Sequence, residues 1–290
     1  MKSDKLAKAY RVDGGKHFRL KDFDPADTEG WKKEGADEAL EKGILRNAEL
    51  QDKLYAQDNW AVLLVFQALD AAGKDGIIKH VMTGINPQGC QVYSFKAPSA
   101  EELQHDFLWR CGRVMPERGH IGIFNRSYYE EVLVVRVHPE ILKSQKTPDS
   151  LVGKHIWEER FEDIRGFERH MARNGTVIRK FFLNVSRKEQ KKRFLARLDE
   201  PEKNWKFSAA DIRERACWDD YHKAYEDMIA NTATEHAPWY VVPADNKWFT
   251  RLVVSAVLVE TLESLDLAYP KVDDAKRKEL EAAKKLLESK

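Results

Sequence analysis

AVLLVFQALDAAGKDGIIKHVM, residues 61–82, sets an apolar run, a small-residue loop and a helix start in immediate succession. Ala61 to Phe66 reads as a buried strand and Asp70-Ala71-Ala72-Gly73-Lys74-Asp75-Gly76 as the loop; the residues that follow have helical spacing. This order aims backbone N–H groups and a lysine at one point, where a phosphate can sit. The general phosphate-loop pattern is GxxxxGK[ST]. Here the register is Ala68-x-x-x-x-Gly73-Lys74-Asp75, with two departures. Ala68 replaces the first glycine, which is tolerable if φ there is negative. Asp75 replaces the Ser/Thr hydroxyl that helps hold Mg2+, so another group must take the metal. Asp70, inside the loop, is the candidate, because Mg2+ binds through one or two carboxylates together with substrate phosphates. A small-residue turn before a core helix would give a similar string; the strand before it and the helix after it favour the phosphate loop.

Working outward, four more segments read as strands from their β-branched and aromatic content: Gln91–Phe95, Ile121–Asn125, Thr176–Val185 and Trp239–Pro243. Helix-period stretches lie among them at Ile77–Met82, Ala100–Arg113, Leu151–Arg173, Arg187–Leu198, Ser208–Asn231 and Lys247–Leu265. Alternation of this kind predicts an α/β fold with a five-stranded parallel sheet covered on both faces. Ser99 with Glu102, and Ser186 with Glu189, have capping-box spacing. Gly175 reads as a helix stop. We divide the chain into an N-terminal helical extension (1–58), a phosphate-loop domain (59–268) and a charged C-terminal helix or tail (269–290).

A second site follows the third strand, in Asn125-Arg126-Ser127-Tyr128-Tyr129-Glu130. Ligands of open α/β sheets sit beyond the carboxyl ends of strands. Many phosphate-loop enzymes carry a metal-side acid here; Asn125 lacks that carboxylate, which puts more weight on Asp70. Arg126 offers a planar fork to phosphate. Tyr128 or Tyr129 is placed to stack on a base, or packs in the core, and Glu130 to accept from base amino groups. Arg110, Arg113 and Arg118 either reach the same pocket or decorate a helix.

The chain has 290 residues, 42% hydrophobic and 33% charged, with net charge +1. Between Arg179 and Arg215 it carries twelve Lys/Arg against six acids, so this stretch is +6 and the remainder −5. A local basic segment in an otherwise acidic chain is either a polyanion site or a solvated helix face. No apolar run reaches bilayer length. Cys90, Cys111 and Cys217 lack metal-site or disulfide-framework spacing and fit a reducing cytoplasm.

Taken together, FQALDAAGKDG (66–76), NPQGCQVYSFKAPSAEELQHDFLWR (86–110), ERGHIGIFNRSYYEEVLVVRVHPE (117–140), NGTVIRKFFLNVSRKEQKKRFLARLDEPEKNWKFSAADIRERACWDDY (174–221) and EHAPWYVVPADNKWF (235–249) closely resemble the polyphosphate kinase type 2 family. The likeness runs from about residue 35 to about 267. Asn125 in the aspartate position, followed by Tyr128-Tyr129-Glu130-Glu131, looks like the class III subgroup. The resemblance implies a three-layer αβα fold similar to thymidylate kinase, with a helical lid at about 187–215. It implies phosphoryl transfer from inorganic polyphosphate to AMP and ADP, with GMP and GDP as further acceptors. It assigns Asp70 to the metal (Mg2+, with Mn2+ as the alternative) and Asp70, Lys74, Asn125 and Arg126 to catalysis. Phosphate binding falls to Ala71, Ala72, Gly73, Lys74, Asp75 and Gly76, and to Arg126, Arg193, Arg197 and Lys206. From the residues themselves, beside the resemblance, we place Arg113, Arg118, Tyr128 and Glu130 at the nucleotide. A homo-oligomer is expected, and neither nucleic acid nor membrane as a partner. Two rivals stay open: an ATP-dependent nucleoside monophosphate kinase, and a non-catalytic binder on a decayed kinase fold.

Overall fold

The computed structural model describes residues 3–289. Its strands are β1 (Arg11–Val12), β2 (Ala61–Gln67), β3 (Cys90–Ser94), β4 (Ile121–Asn125), β5 (Thr176–Asn184) and β6 (Trp239–Pro243). The longer helices are α1 (Ser3–Ala9), α2 (Lys33–Gln57), α3 (Lys74–Val81), α4 (Ile156–Arg173), α5 (Arg187–Asp199), α6 (Ala209–Ala216), α7 (Trp218–Thr232), α8 (Lys247–Glu263) and α9 (Asp274–Glu288).

The sheet has six strands in the order β1-β6-β5-β2-β4-β3. Five are parallel, as expected from the sequence. The sixth, β1, is a two-residue strand lying antiparallel on β6 with Arg11 opposite Tyr240, too short to give an alternation signal. Because β2 lies between β4 and β5, with Phe66 opposite Asn125 and Gln67 opposite Phe182, its outgoing loop emerges at the middle of the sheet.

Alternation along β2 divides the interior. Val62, Leu64 and Phe66 face one core with α1, α2, α3 and α8. Leu63 and Val65 face the other with Tyr128, Tyr129, α4 and α7. Leu6, Leu50 and Leu54, all ahead of residue 59, belong to the first of these cores. Every residue of α9 is exposed.

Two predicted helices break. Ala100–Arg113 is a 3-10 turn at Glu102–Gln104 and a short helix at Trp109–Gly112; the Ser99–Glu102 box forms in both directions (2.6 and 3.2 Å) but caps only that turn. Ser208–Asn231 divides at Cys217 into α6 and α7. Gly175 stops α4 as predicted, with a left-handed φ of 86°. Among the described residues, no helix is long and apolar enough to cross a membrane.

Candidate active site

The loop leaves β2 at Gln67 and enters α3 at Lys74. Gly73 takes φ 109°, a backbone region that side chains rarely adopt. A Cβ there would meet nothing nearer than Arg193 Nη1 at 3.8 Å, so conformation rather than crowding requires the glycine. Ala68 stays out of the left-handed region, which meets the condition on the missing first glycine. At this site two non-glycine residues do adopt left-handed backbone, Ala71 (φ 62°) and Arg126 (φ 64°). Such strain costs about 1–3 kcal/mol each and persists where surrounding bonds enforce it. The enforcing bonds are present: Arg193 Nη1 donates to Ala71 O (3.1 Å), and Arg126 N to Phe66 O (3.0 Å).

These two strained residues bring the loops together. Arg126 Nη2 donates to Asp70 Oδ1 at 3.1 Å, and Asn125 Nδ2 to Asp75 Oδ1 at 2.8 Å. The residue that replaces the loop hydroxyl, Asp75, is therefore hydrogen-bonded to the residue that replaces the strand-end acid, Asn125. Lys74 curls back to donate to Ala68 O (2.7 Å). Burial pushes the Lys74 ammonium below its ordinary pKa, against the opposing pull of Asp70. Burial also disfavours the Arg126 cation, but Glu130 and Asp70 outweigh it and leave its pKa raised. Glu130 is half-buried, and burial lifts its carboxyl above the usual range despite Arg126 and Lys74. With its amide turned to satisfy both ends, Gln67 donates to Glu130 Oε1 (2.8 Å) and accepts from Ser127 N (3.1 Å).

Two clefts meet at this point. One, of about 550 Å³, is lined by the loop from Asp70 to Gly76 and by Arg197, Lys203 and Lys206 from the basic 187–215 segment, with Lys96, Lys247 and Arg251 beside them. Nine cationic side chains line it against two carboxylates, Asp70 and Asp75, so its field attracts a polyanion. The other, of about 480 Å³, is walled by Phe95, Trp218, Tyr221 and Tyr225, with Arg110, Glu130, Glu131 and Asp211 among its polar groups. That volume lies in the range of small-molecule sites. Asp70 and Arg126 line both clefts.

Several expected residues sit elsewhere. Tyr128 and Tyr129 have no exposed surface, so neither ring can stack on a base. Their hydroxyls donate to Glu168 Oε1 (2.9 and 2.7 Å), and the buried Lys180 donates to Glu168 Oε2 at 2.7 Å. A lysine in the middle of a central strand needs such a partner, and that was the available sequence signal. Arg118 lies at the opposite end of the sheet, donating to Asn59 O (2.7 Å) and Asn174 O (3.0 Å) ahead of β2 and β5. Arg113 stacks over Trp109 (4.5 Å) and borders neither cleft; Arg110 takes the place expected for it.

Arg193 lines the cationic cleft, but none of its five N–H groups is available to phosphate. They donate to Glu189 Oε1 (3.0 Å), Ala71 O (3.1 Å), Ala72 O (2.7 Å), Ala244 O (2.6 Å) and Asp245 O (3.1 Å). It is a positioning residue tying α5 to the phosphate loop. Glu189 bonds Arg193 instead of closing the Ser186 box, which is therefore one-sided (Glu189 N to Ser186 Oγ, 3.1 Å). Gln190 assists by donating to Asp70 O (3.0 Å), its own carbonyl held by Arg215. Lys247 and Arg251 could have been anticipated: they stand one turn apart at the start of the helix after β6, beyond a strand's carboxyl end.

No group of three or more His, Cys, Asp or Glu placed to hold a metal occurs among the described residues. Asp70 offers one carboxylate at the junction of the clefts, a donor set that suits a hard cation completing its shell with substrate phosphate oxygens.

The sequence profile of the family described as Polyphosphate kinase 2 matches residues 30–270. The chain is 57% identical over 275 residues to the ADP-polyphosphate phosphotransferase of Rhodopseudomonas palustris, covering 91% of this chain and 95% of that one. It is 47% identical over 273 residues to the AMP/ADP-polyphosphate phosphotransferase of Meiothermus ruber, covering 93% and 98%. Among solved structures, polyphosphate kinase 2 from Arthrobacter aurescens superposes with a TM-score of 0.87 at 42% identity, covering 96% of each chain.

Proposed function

Since the chain belongs to the polyphosphate kinase 2 family, we propose that it transfers phosphoryl groups across the Asp70–Arg126 junction, from polyphosphate in the cationic cleft to a nucleotide in the aromatic one. It is a polyphosphate-dependent nucleotide kinase. The observation that carries the assignment of sides is the 3.1 Å Asp70–Arg126 pair in the wall common to both clefts. The acceptors are AMP and ADP, with GMP and GDP as further ones.

Transfer through a loose transition state asks the protein for alignment and charge neutralisation. The acceptor oxygen is already anionic near neutral pH, so no general base is needed. Lys74 and Arg126 hold the migrating group between donor and acceptor. Arg197, Lys203, Lys206, Lys247 and Arg251 bind the chain behind it, and Tyr221 and Tyr225 line the acceptor side. Kinases of this family generally use a divalent metal; Mg2+ held by Asp70 and substrate phosphates would supply further neutralisation. Asn125 keeps Asp75 engaged and leaves Asp70 as the metal carboxylate. Exposed Trp205 (78%) and Leu195 on the lid support self-association, which size-exclusion chromatography with light scattering checks. The free thiols of Cys90, Cys111 and Cys217 support a reducing, cytoplasmic setting.

The test is incubation of AMP or ADP with Mg2+ and either polyphosphate or ATP. Phosphorylated product with polyphosphate is expected. Product from AMP with ATP alone would assign an ordinary monophosphate kinase, and no product with either donor a binding protein.

A further inference from the structure

The aromatic cleft has two distinct ends. At one it shares Asp70, Phe95, Lys96 and Arg126 with the cationic cleft. At the other it shares Pro98, Leu103, Arg110, Glu131 and Gln145 with an outer cavity of about 740 Å³. On the reading proposed above, the acceptor's phosphate lies at the first end, so its base lies at the second. Val134, Val135 and Ile141 give the cleft an apolar wall, as a base slot should have, with few polar groups to fix orientation.

Glu130 does not serve that end. It is held by Gln67 and lies in the field of Arg126 and Lys74, which places it with the phosphates. Glu131 does. Its Oε2 accepts from Gln145 Nε2 (2.7 Å) and from Arg160 Nη1 (3.2 Å), while Arg160 Nη2 donates to Gln145 Oε1 (3.0 Å). The three side chains form a closed ring of hydrogen bonds, backed by Phe107 under the Arg160 guanidinium (4.5 Å). Glu131 and Arg160 are 4% and 5% exposed. Among the described residues, Glu131 Oε1 has no hydrogen-bond partner, although the residue lines both cavities. A fixed carboxylate with one open oxygen accepts and cannot donate.

We propose that Glu131 is a specificity-determining residue whose Oε1 accepts a hydrogen bond from the exocyclic amino group of the acceptor's base. Arg160 and Gln145 act through it as positioning residues. An aminopurine satisfies the carboxylate, whereas a purine without that amino group leaves it facing no donor. A missing partner of this kind reduces a substrate more than a missing methylene does, because a buried polar group is stranded.

The experiment compares kcat/KM for AMP and for purine riboside 5′-monophosphate, with polyphosphate as donor, in the wild-type chain and in Glu131→Gln. The wild type is expected to favour AMP by about tenfold or more, the effect of a charge-assisted hydrogen bond. Glu131→Gln still accepts from Arg160 but loses its charge, and its preference is expected to fall to within about threefold of one. A wild-type ratio near one overturns the proposal. So does a Glu131→Gln protein that is slower with both acceptors at an unchanged ratio, the mark of a purely structural role. If Glu131→Gln does not fold, Gln145→Met, which releases one side of the ring, is expected to lower the ratio, and an unchanged ratio is again adverse. Transfer to neither acceptor by the wild type overturns instead the activity on which the base reading rests.

Discussion

Replacing Arg193 with glutamine separates a phosphate ligand from an anchor. The side chain makes five hydrogen bonds of 2.6–3.1 Å, four of them to backbone carbonyls on two different loops. It is 8% exposed, so solvent screens these contacts little. Charge-assisted bonds contribute about 1.5–3 kcal/mol each, but not additively. Removing one member of a buried charged network costs about 3–5 kcal/mol, and we take that as the loss in Arg193→Gln. For a chain of 290 residues, with an unfolding entropy of about 2.1 cal/mol/K per residue, it lowers Tm by about 5–8 °C. Ala71 also loses a bond that enforces its left-handed backbone, so kcat should fall with stability. The dependence of the polyphosphate KM on salt should not change, because no phosphate contact is lost. Lys206→Ala is the contrast. Its ammonium lines the cationic cleft and stacks on exposed Trp205 (5.0 Å). Its loss should leave Tm within about 1–2 °C, as exposed substitutions do, and flatten the log KM against log salt slope by about 0.7, one counterion's share on a single strand. The assays are thermal denaturation and initial rates at four or five salt concentrations. An Arg193→Gln protein with unchanged Tm and a flattened salt slope would refute the anchoring role.

Lys74→Ala should reduce turnover by about a thousandfold or more with Tm preserved, because transition-state charge loses a fixed cation; near-wild-type turnover would sink the loop assignment. Asn125→Asp sets a second carboxylate against Asp75, and the ratio of AMP to ADP phosphorylation rates should shift; equal ratios in both proteins count against a role for Asn125 in acceptor choice. Lys180→Met strands a fully buried carboxylate, Glu168, and should cost about 3–5 kcal/mol in urea denaturation. Adding Glu168→Gln should recover a large part of that, and no recovery would show that the pair is not the source of the loss.

β-branched and aromatic content placed the five parallel strands within two residues of their observed ends; β2, β4 and β6 are buried almost throughout and read as apolar runs, whereas the half-exposed β3 is carried by Val92 and Tyr93 alone. The phosphate loop was equally legible, since its chemistry is local: Asp70, Gly73 and Lys74 lie within five residues. Roles that depend on distant partners were not. Tyr128 lies two residues after Arg126, but the 3-10 turn after Ser127 rotates it into the core, where Lys180 and Glu168 wait some 40–50 residues further along the chain. Arg193 and Arg197 look alike in a basic helix. Only the fold shows that Arg193 points at loop carbonyls while Arg197 pairs with Asp211 (3.3 Å) and lines the cleft. Arg118 precedes the functional strand in sequence, but a parallel strand puts its preceding residues at the wrong end of the sheet.

The Asn125–Asp75 hydrogen bond has a bearing on how this site can change over generations. Each partner makes sense only beside the other. A serine at 75 would remove the amide's acid, and an aspartate at 125 would set two carboxylates face to face across 2.8 Å. Movement between this arrangement and one with a hydroxyl in the loop and an acid on the strand is therefore epistatic, with each single step less fit than either end. A library that saturates one position at a time would record a loss at either residue. Only a library varying 75 and 125 together could reach the alternative metal arrangement.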